Sequence, residues 1–122
     1  MKYKILLVED NVPVRENTTE LLELSDYTVI TACNGTEGLT AALEHSPDLI
    51  LCDIQMPEMN GYYLLQHVRQ HTELDNCRFV FFTASSEKKD VEAALKMGAD
   101  EYIIKPFTGE RLLEVMETML AK

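Results

Sequence analysis

The chain reads as a single α/β domain, a doubly wound parallel sheet covered on both faces by helices in a three-layer sandwich. Two features predict this. Strand-like and helix-like patterns alternate five times along the sequence, and four short runs are almost wholly apolar: Ile5-Leu6-Leu7-Val8, Leu49-Ile50-Leu51-Cys52, Phe79-Val80-Phe81-Phe82 and Tyr102-Ile103-Ile104. Runs of that length without polar alternation are strands buried on both faces, which is the condition of a parallel sheet. Repeated β-α units of this size imply right-handed crossovers.

Each element follows from local signals. Ile5 to Val8 is the first strand. Val12 to Leu24 is a helix with Pro13 tolerated in its first turn and Val14, Leu21, Leu22 and Leu24 as an imperfect apolar stripe. Tyr27 to Ala32, rich in β-branched residues, is the second strand. Asn34-Gly35 turns into a helix carrying Leu39, Ala42 and Leu43, closed by Pro47 before the third strand. Pro57 and Gly61 bracket a loop, and Asn60 caps a helix with Leu64, Leu65 and Val68. The fourth strand leads to Ser85-Ser86, caps for a helix with Val91, Ala94 and Leu95 that ends at Gly98 in a left-handed conformation. After Pro106, Thr108 caps a last helix with Leu112, Leu113, Met116, Met119 and Leu120 on its buried side. No linker, repeat or low-complexity stretch interrupts residues 1–122, which are expected to form one domain.

Composition narrows the function. Lys+Arg 11 against Asp+Glu 21 gives a formal net charge of -10, which repels nucleic acid and anionic membrane and attracts a divalent cation or a basic partner. No apolar stretch approaches the ~20 residues of a membrane span, and Met1-Lys2-Tyr3-Lys4 leads into a strand rather than a signal peptide. Cys33, Cys52 and Cys77 show no metal-like spacing, so reduced thiols in a cytoplasmic protein are expected.

The apolar runs stop at residues suited to phosphate or metal chemistry: Glu9-Asp10, Asp53, Thr83 and Lys105-Pro106. In an open α/β sheet, ligands bind beyond the carboxyl ends of the strands. A lone acidic pair after a strand is usually a solvated end. Asp53 alters that weighting, because it ends an apolar strand and must share the edge with Asp10. Two unit charges ~5 Å apart at an effective dielectric of ~20 repel by roughly 3 kcal/mol, so a cation between them is the economical explanation. Oxygen-only donors beside a phosphate site suit Mg²⁺ better than zinc. Lys105 follows a buried strand and precedes a proline that restricts its backbone; its ammonium could neutralise Asp53 at rest and later pair with a phosphoryl oxygen. Thr83 alone could be an ordinary strand-end hydroxyl. Together, the four strand ends point to phosphoryl transfer.

These segments, Ile5-Leu6-Leu7-Val8-Glu9-Asp10-Asn11, Asp53-Ile54-Gln55-Met56-Pro57-Glu58-Met59-Asn60-Gly61, Thr83-Ala84 and Gly98-Ala99-Asp100-Glu101-Tyr102-Ile103-Ile104-Lys105-Pro106-Phe107, occur in an order and at spacings that resemble the receiver (CheY-like) domain of two-component response regulators. The resemblance spans essentially the whole chain. It implies a flavodoxin-like, five-stranded sheet of order 2-1-3-4-5 with five helices. It also implies that Asp53 is the phosphoacceptor, taking a phosphoryl group from a phosphohistidine on a sensor histidine kinase or phosphotransfer protein. Asp10 and Asp53 would ligate Mg²⁺ with the main-chain carbonyl of Gln55, and Glu9 would hold a metal-bound water. Thr83 and Lys105 would contact the aspartyl-phosphate oxygens, Tyr102 would turn inward after phosphorylation, and the Lys105-Pro106 bond would be cis. Such a domain is a signalling module that catalyses only its own phosphorylation and dephosphorylation, and passes the signal to an output domain or downstream protein.

Three other readings are weaker. A haloacid-dehalogenase-like phosphatase needs a second acid two residues after the nucleophile, where this chain has Gln55. A flavodoxin-type electron carrier needs a Ser/Thr/Gly-rich phosphate loop where Glu9-Asp10-Asn11 would repel a flavin phosphate. A receiver kept only as a docking module is disfavoured because every chemical position is filled. For output, the last helix offers Glu110, Arg111, Glu114 and Glu117, and the preceding one Lys88, Lys89 and Lys96. Three acids to one base on the last helix disfavour self-complementary pairing, so a hetero-partner is expected there rather than a strong homodimer.

Overall fold

The computed structural model describes residues 2–56, 59–84 and 88–121, with the side chains of Lys88 and Asp90 outside that description. Five strands, β1 (Lys4–Val8), β2 (Thr28–Ala32), β3 (Leu49–Cys52), β4 (Arg78–Thr83) and β5 (Glu101–Ile104), alternate with five helices, α1 (Val12–Leu24), α2 (Gly35–His45), α3 (Gly61–Gln70), α4 (Lys88–Lys96) and α5 (Gly109–Leu120). All neighbouring strands pair in parallel, in the order β2-β1-β3-β4-β5.

Alternation along the strands divides the core. Leu6, Val8, Ile50, Cys52, Phe79, Phe81 and Tyr102 meet Ala42 of α2, Leu64, Leu65 and Val68 of α3, and Ala94 of α4. Ile5, Leu7, Leu49, Leu51, Val80, Phe82 and Ile103 face the other way, onto Leu22 of α1 and Leu112, Val115, Met116 and Met119 of α5. With helices on both sides, the inner strands have no face left for polar residues, hence their apolar runs, whereas the edge strand β2 keeps Thr28 and Thr31 exposed.

Among the described residues, side-chain caps begin four of the helices. Asn11 accepts from the Val14 N–H, Asn34 from Glu37, Asn60 from both Tyr62 and Tyr63, and Thr108 from Arg111. Helix α4 ends as its sequence implies: Gly98 has φ +108, its N–H bonds the Leu95 carbonyl, and the Ala99 N–H bonds that of Ala94. This pair of bonds satisfies carbonyls that the helix end would leave bare. The expected caps Ser85-Ser86, and Pro57 of the loop before α3, lie outside the described residues.

Several expectations need correction. Leu24, Leu43 and Leu95, expected in the apolar stripes of their helices, are 79%, 38% and 44% exposed. At 100° per residue, each is one or two positions out of phase with the residue that does face the sheet, namely Leu22, Ala42 and Ala94. Thr18 is buried in the gap of the α1 stripe, and Val115 joins the buried side of α5. Strand β2 starts at Thr28 rather than Tyr27, because the Tyr27 N–H is committed to the Leu22 carbonyl at the end of α1. A short 3-10 turn at Thr72–Leu74, not foreseen, buries Leu74.

Candidate functional site

Glu9, Asp53 and Lys105 stand one residue past β1, β3 and β5, and Thr83 is the last residue of β4. The Glu9 N–H donates to the Ala32 carbonyl at 3.0 Å, Asp53 to Val8 at 3.1 Å, and Lys105 to Thr83 at 2.8 Å. The ladder therefore fixes where each functional side chain emerges. Helix α3 starts against the same edge: the Gly61 N–H donates to the Ile54 carbonyl at 2.9 Å. A Cβ at Gly61 would stand 2.6 Å from the Asp53 carbonyl oxygen and 2.8 Å from the Phe81 ring, so only glycine permits this approach.

Glu9, Asp10 and Asp53 each offer a carboxylate oxygen within 4.8 Å of the others. Lys105 reaches in from just past β5, its Nζ 2.7 Å from Glu9 Oε1 and 3.4 Å from Asp53 Oδ2. The same ammonium lies 4.6 Å from the centroid of the Phe82 ring. The Gln55 N–H donates to Asp53 Oδ1 at 3.3 Å. Thr83 and Gln55 line the same cleft of about 480 Å³, with Asn11, Val14 and Ala84. Glu9 is fully buried, Thr83 nearly so, and Asp53 is 8% exposed.

One ammonium does not balance three carboxylates. Two unit charges 4.8 Å apart repel by about 3.5 kcal/mol at an effective dielectric of ~20. Burial pushes the Asp10 carboxyl above its ordinary range, with the hydrogen bond and charge of Glu9 adding to it and Lys105 opposing it. Glu9 Oε2 is buried without a hydrogen-bond partner. A buried orphan oxygen beside two further carboxylates suits a hard cation or its bound water, and among the described residues no histidine or cysteine joins this ligand group. These residues fit Mg²⁺.

The structure thus brings Glu9, Asp10, Asp53, Thr83 and Lys105 together, and the Lys105-Pro106 bond is cis. Two details differ from expectation. Lys105 sits closer to Glu9 than to Asp53, because the fully desolvated Glu9 carboxylate has the greater need of a counter-charge. Tyr102, expected to turn inward only after phosphorylation, is already only 5% exposed, within the cluster that holds Ala94 and Ala99. Arg15, not singled out by the sequence, also reaches the site's backbone: its Nη1 donates to the Glu9 carbonyl at 2.8 Å. A contact from a helical side chain to a backbone oxygen leaves no compositional trace. The three cysteines are free thiols, and burial raises the pKa of Cys52 and Cys77.

Comparison with known proteins agrees with this geometry. The profile of the family described as "Response regulator receiver domain" matches residues 5–117. The "Polar-differentiation response regulator DivK" of Brucella anthropi is 36% identical over 120 residues, covering 98% of each chain. The "Probable transcriptional regulator ycf27" of Cyanidium caldarium is 34% identical over 121 residues, which are 99% of this chain and 47% of that protein. The chain spans about half the length of the first curated relatives it matches. Among solved structures, the chemotaxis protein CheY4 of Vibrio cholerae superposes with a TM-score of 0.93 at 27% identity, covering 98% of this chain and 99% of that one. The chain belongs to the response regulator receiver domain family, the phosphorylation-responsive modules of two-component signalling.

Proposed function

We propose that, in this receiver domain of residues 1–122, Asp53 is the phosphoacceptor. The observation that carries the reading is the position of its carboxylate, at the mouth of a buried strand, 3.4 Å from the Lys105 ammonium and among the three clustered acids. One Asp53 oxygen attacks the phosphorus of a phosphohistidine, forming the P–O bond as the P–N bond breaks, and the imidazole leaves with the electron pair. Phosphoryl transfer of this kind needs alignment and neutralisation of the equatorial oxygens more than covalent assistance. Lys105 supplies a positive charge beside Asp53, and Thr83 a hydroxyl that can donate to a phosphoryl oxygen. Glu9, Asp10, Asp53 and the main-chain carbonyl of Gln55 would hold Mg²⁺, which when bound neutralises charge on the phosphoryl oxygens. Hydrolysis of the resulting acyl phosphate at the same site is the domain's own dephosphorylation.

The donor is a sensor histidine kinase or phosphotransfer protein. An apolar cleft of about 580 Å³, lined in part by Val14, Leu21, Pro106 and Phe107, opens beside Lys105 and offers such a donor a seat. Thr83 and Tyr102 form the switch: once Thr83 donates to the phosphoryl group, the inward position of Tyr102 is held, and the surface of α4, β5 and α5 changes its affinity for an output domain or separate protein. Among the described residues no helix is long and apolar enough to cross a membrane, and the setting that fits this chemistry is the cytoplasm.

Beryllofluoride capture tests the reading. With Mg²⁺ present, the parent should bind beryllofluoride and gain amide protection around Thr83 and Tyr102, while Asp53→Asn should do neither. Lys105→Ala should keep Mg²⁺ binding yet lose the gain in protection. Undiminished capture by Asp53→Asn would refute the assignment.

A further inference from the structure

We infer that Arg15 is a positioning residue for the acidic site, acting through the backbone of Glu9; the inference rests on the metal-binding reading above. Arg15 lies in the first turn of α1 and is partly buried. Its Nη1 donates to the Glu9 carbonyl oxygen at 2.8 Å, and the Glu9 N–H is held by the Ala32 carbonyl at 3.0 Å. Both backbone polar groups of Glu9 are therefore fixed, one by β2 and one by the guanidinium. The Glu9 carbonyl belongs to the peptide that joins Glu9 to Asp10. Fixing that plane sets the directions in which both acids leave the backbone.

The choice of partner is informative. Arg15 shares a surface depression with Glu16, Glu20 and Glu23. Yet among the described residues no carboxylate pairs with Arg15, and its hydrogen bond goes to a neutral carbonyl. A solvated arginine would leave its guanidinium to water, since glutamates at i+1, i+5 and i+8 do not face it along the helix. Holding a loop carbonyl instead gives up rotamer freedom, which is the behaviour of a brace. The shell around metal ligands commonly tunes affinity in this way, by orienting the groups that touch the ion.

Charge and positioning make opposite predictions, which decides the matter by sign. Arg15 is a cation near a cation site, so removing it should tighten Mg²⁺ binding if charge were its only influence. If it braces Glu9 and Asp10, removing it should weaken binding despite the relief of repulsion. Arg15→Met keeps the apolar stem and loses the donor; Arg15→Lys keeps a donor and the charge. Calorimetric Mg²⁺ titration should show Arg15→Met weakened by roughly tenfold, the usual scale for loss of an outer-shell partner, with Arg15→Lys recovering most of it. Amide exchange at Asp10 and Asn11 in metal-free Arg15→Met should rise while the thermal midpoint stays near that of the parent. Equal or tighter Mg²⁺ binding by Arg15→Met, in a parent that binds Mg²⁺, would overturn the inference alone. A parent that fails to bind Mg²⁺ would overturn the metal-binding reading and this inference with it.

Discussion

Burial and the neighbouring Glu9 carboxylate hold the Asp10 carboxyl above its ordinary value of 3.8. A folded-state pKa above the unfolded one contributes stability that is fully present below the unfolded value and is lost as pH rises through the folded value. At neutral pH the ionised Asp10 therefore strains the metal-free protein. Asp10→Ala should raise the thermal midpoint measured in a chelating buffer, with the gain vanishing as pH falls below the ordinary carboxylate range. The same variant should lose most Mg²⁺ affinity. A lowered midpoint at pH 7 would contradict the charge account, and Mg²⁺ affinity equal to the parent's would contradict the ligand assignment. Glu9, Asp10, Asp53, Thr83 and Lys105 were legible in the sequence because each terminates an apolar run. The division of Lys105 between two acids was not legible, since it depends on which carboxylate is more deeply desolvated.

At the scale of elements, strands and helix starts were readable because apolar runs and Asn or Thr caps are local signals. The failures were matters of phase and close approach. Leu24, Leu43 and Leu95 lie beside the buried stripes, and only tertiary packing tells a helix which neighbour faces the sheet. Arg69 is a second case: its guanidinium bonds the Cys77 and Gly98 carbonyls and Asp100 Oδ2, while the same carboxylate accepts from the Phe79 N–H. This ties α3 to β4 and to the turn before β5, and no sequence pattern announces it. Gly61 allows a prediction whose sign runs against helix propensity. An alanine in a helix is ordinarily favoured over glycine by about 1 kcal/mol. Here the added methyl would meet the Asp53 carbonyl at 2.6 Å, and backbone has little room to yield. Gly61→Ala should destabilise by roughly 1–3 kcal/mol in denaturant titration and impair phosphorylation by displacing Asp53. A stabilised, fully active variant would show that α3 does not position the acceptor.

For the molecule as a whole, the net charge of -10 sets the terms of association. Among the described residues of α5 the one base, Arg111, lies 3.4 Å from Glu114 on its own helix, while Glu110 and Glu117 are exposed. The side chain of Lys88 lies outside the described residues; Lys89 and Lys96 of α4 are exposed. Two copies meeting through α5 would oppose acid to acid, so activation should leave the protein monomeric in light scattering and favour a hetero-partner. A tight symmetric dimer cross-linked through α5 would contradict this.

Every other role at this site follows from one step, acceptance of the phosphoryl group by the carboxylate just past β3. Peptide mapping by mass spectrometry after incubation with acetyl phosphate and Mg²⁺ tests it most directly. One phosphoryl group is expected, carried on Asp53, sensitive to alkali as an acyl phosphate and absent from Asp53→Asn and from reactions with chelator. A phosphoryl group on another residue of the parent, or undiminished labelling of Asp53→Asn, would contradict it.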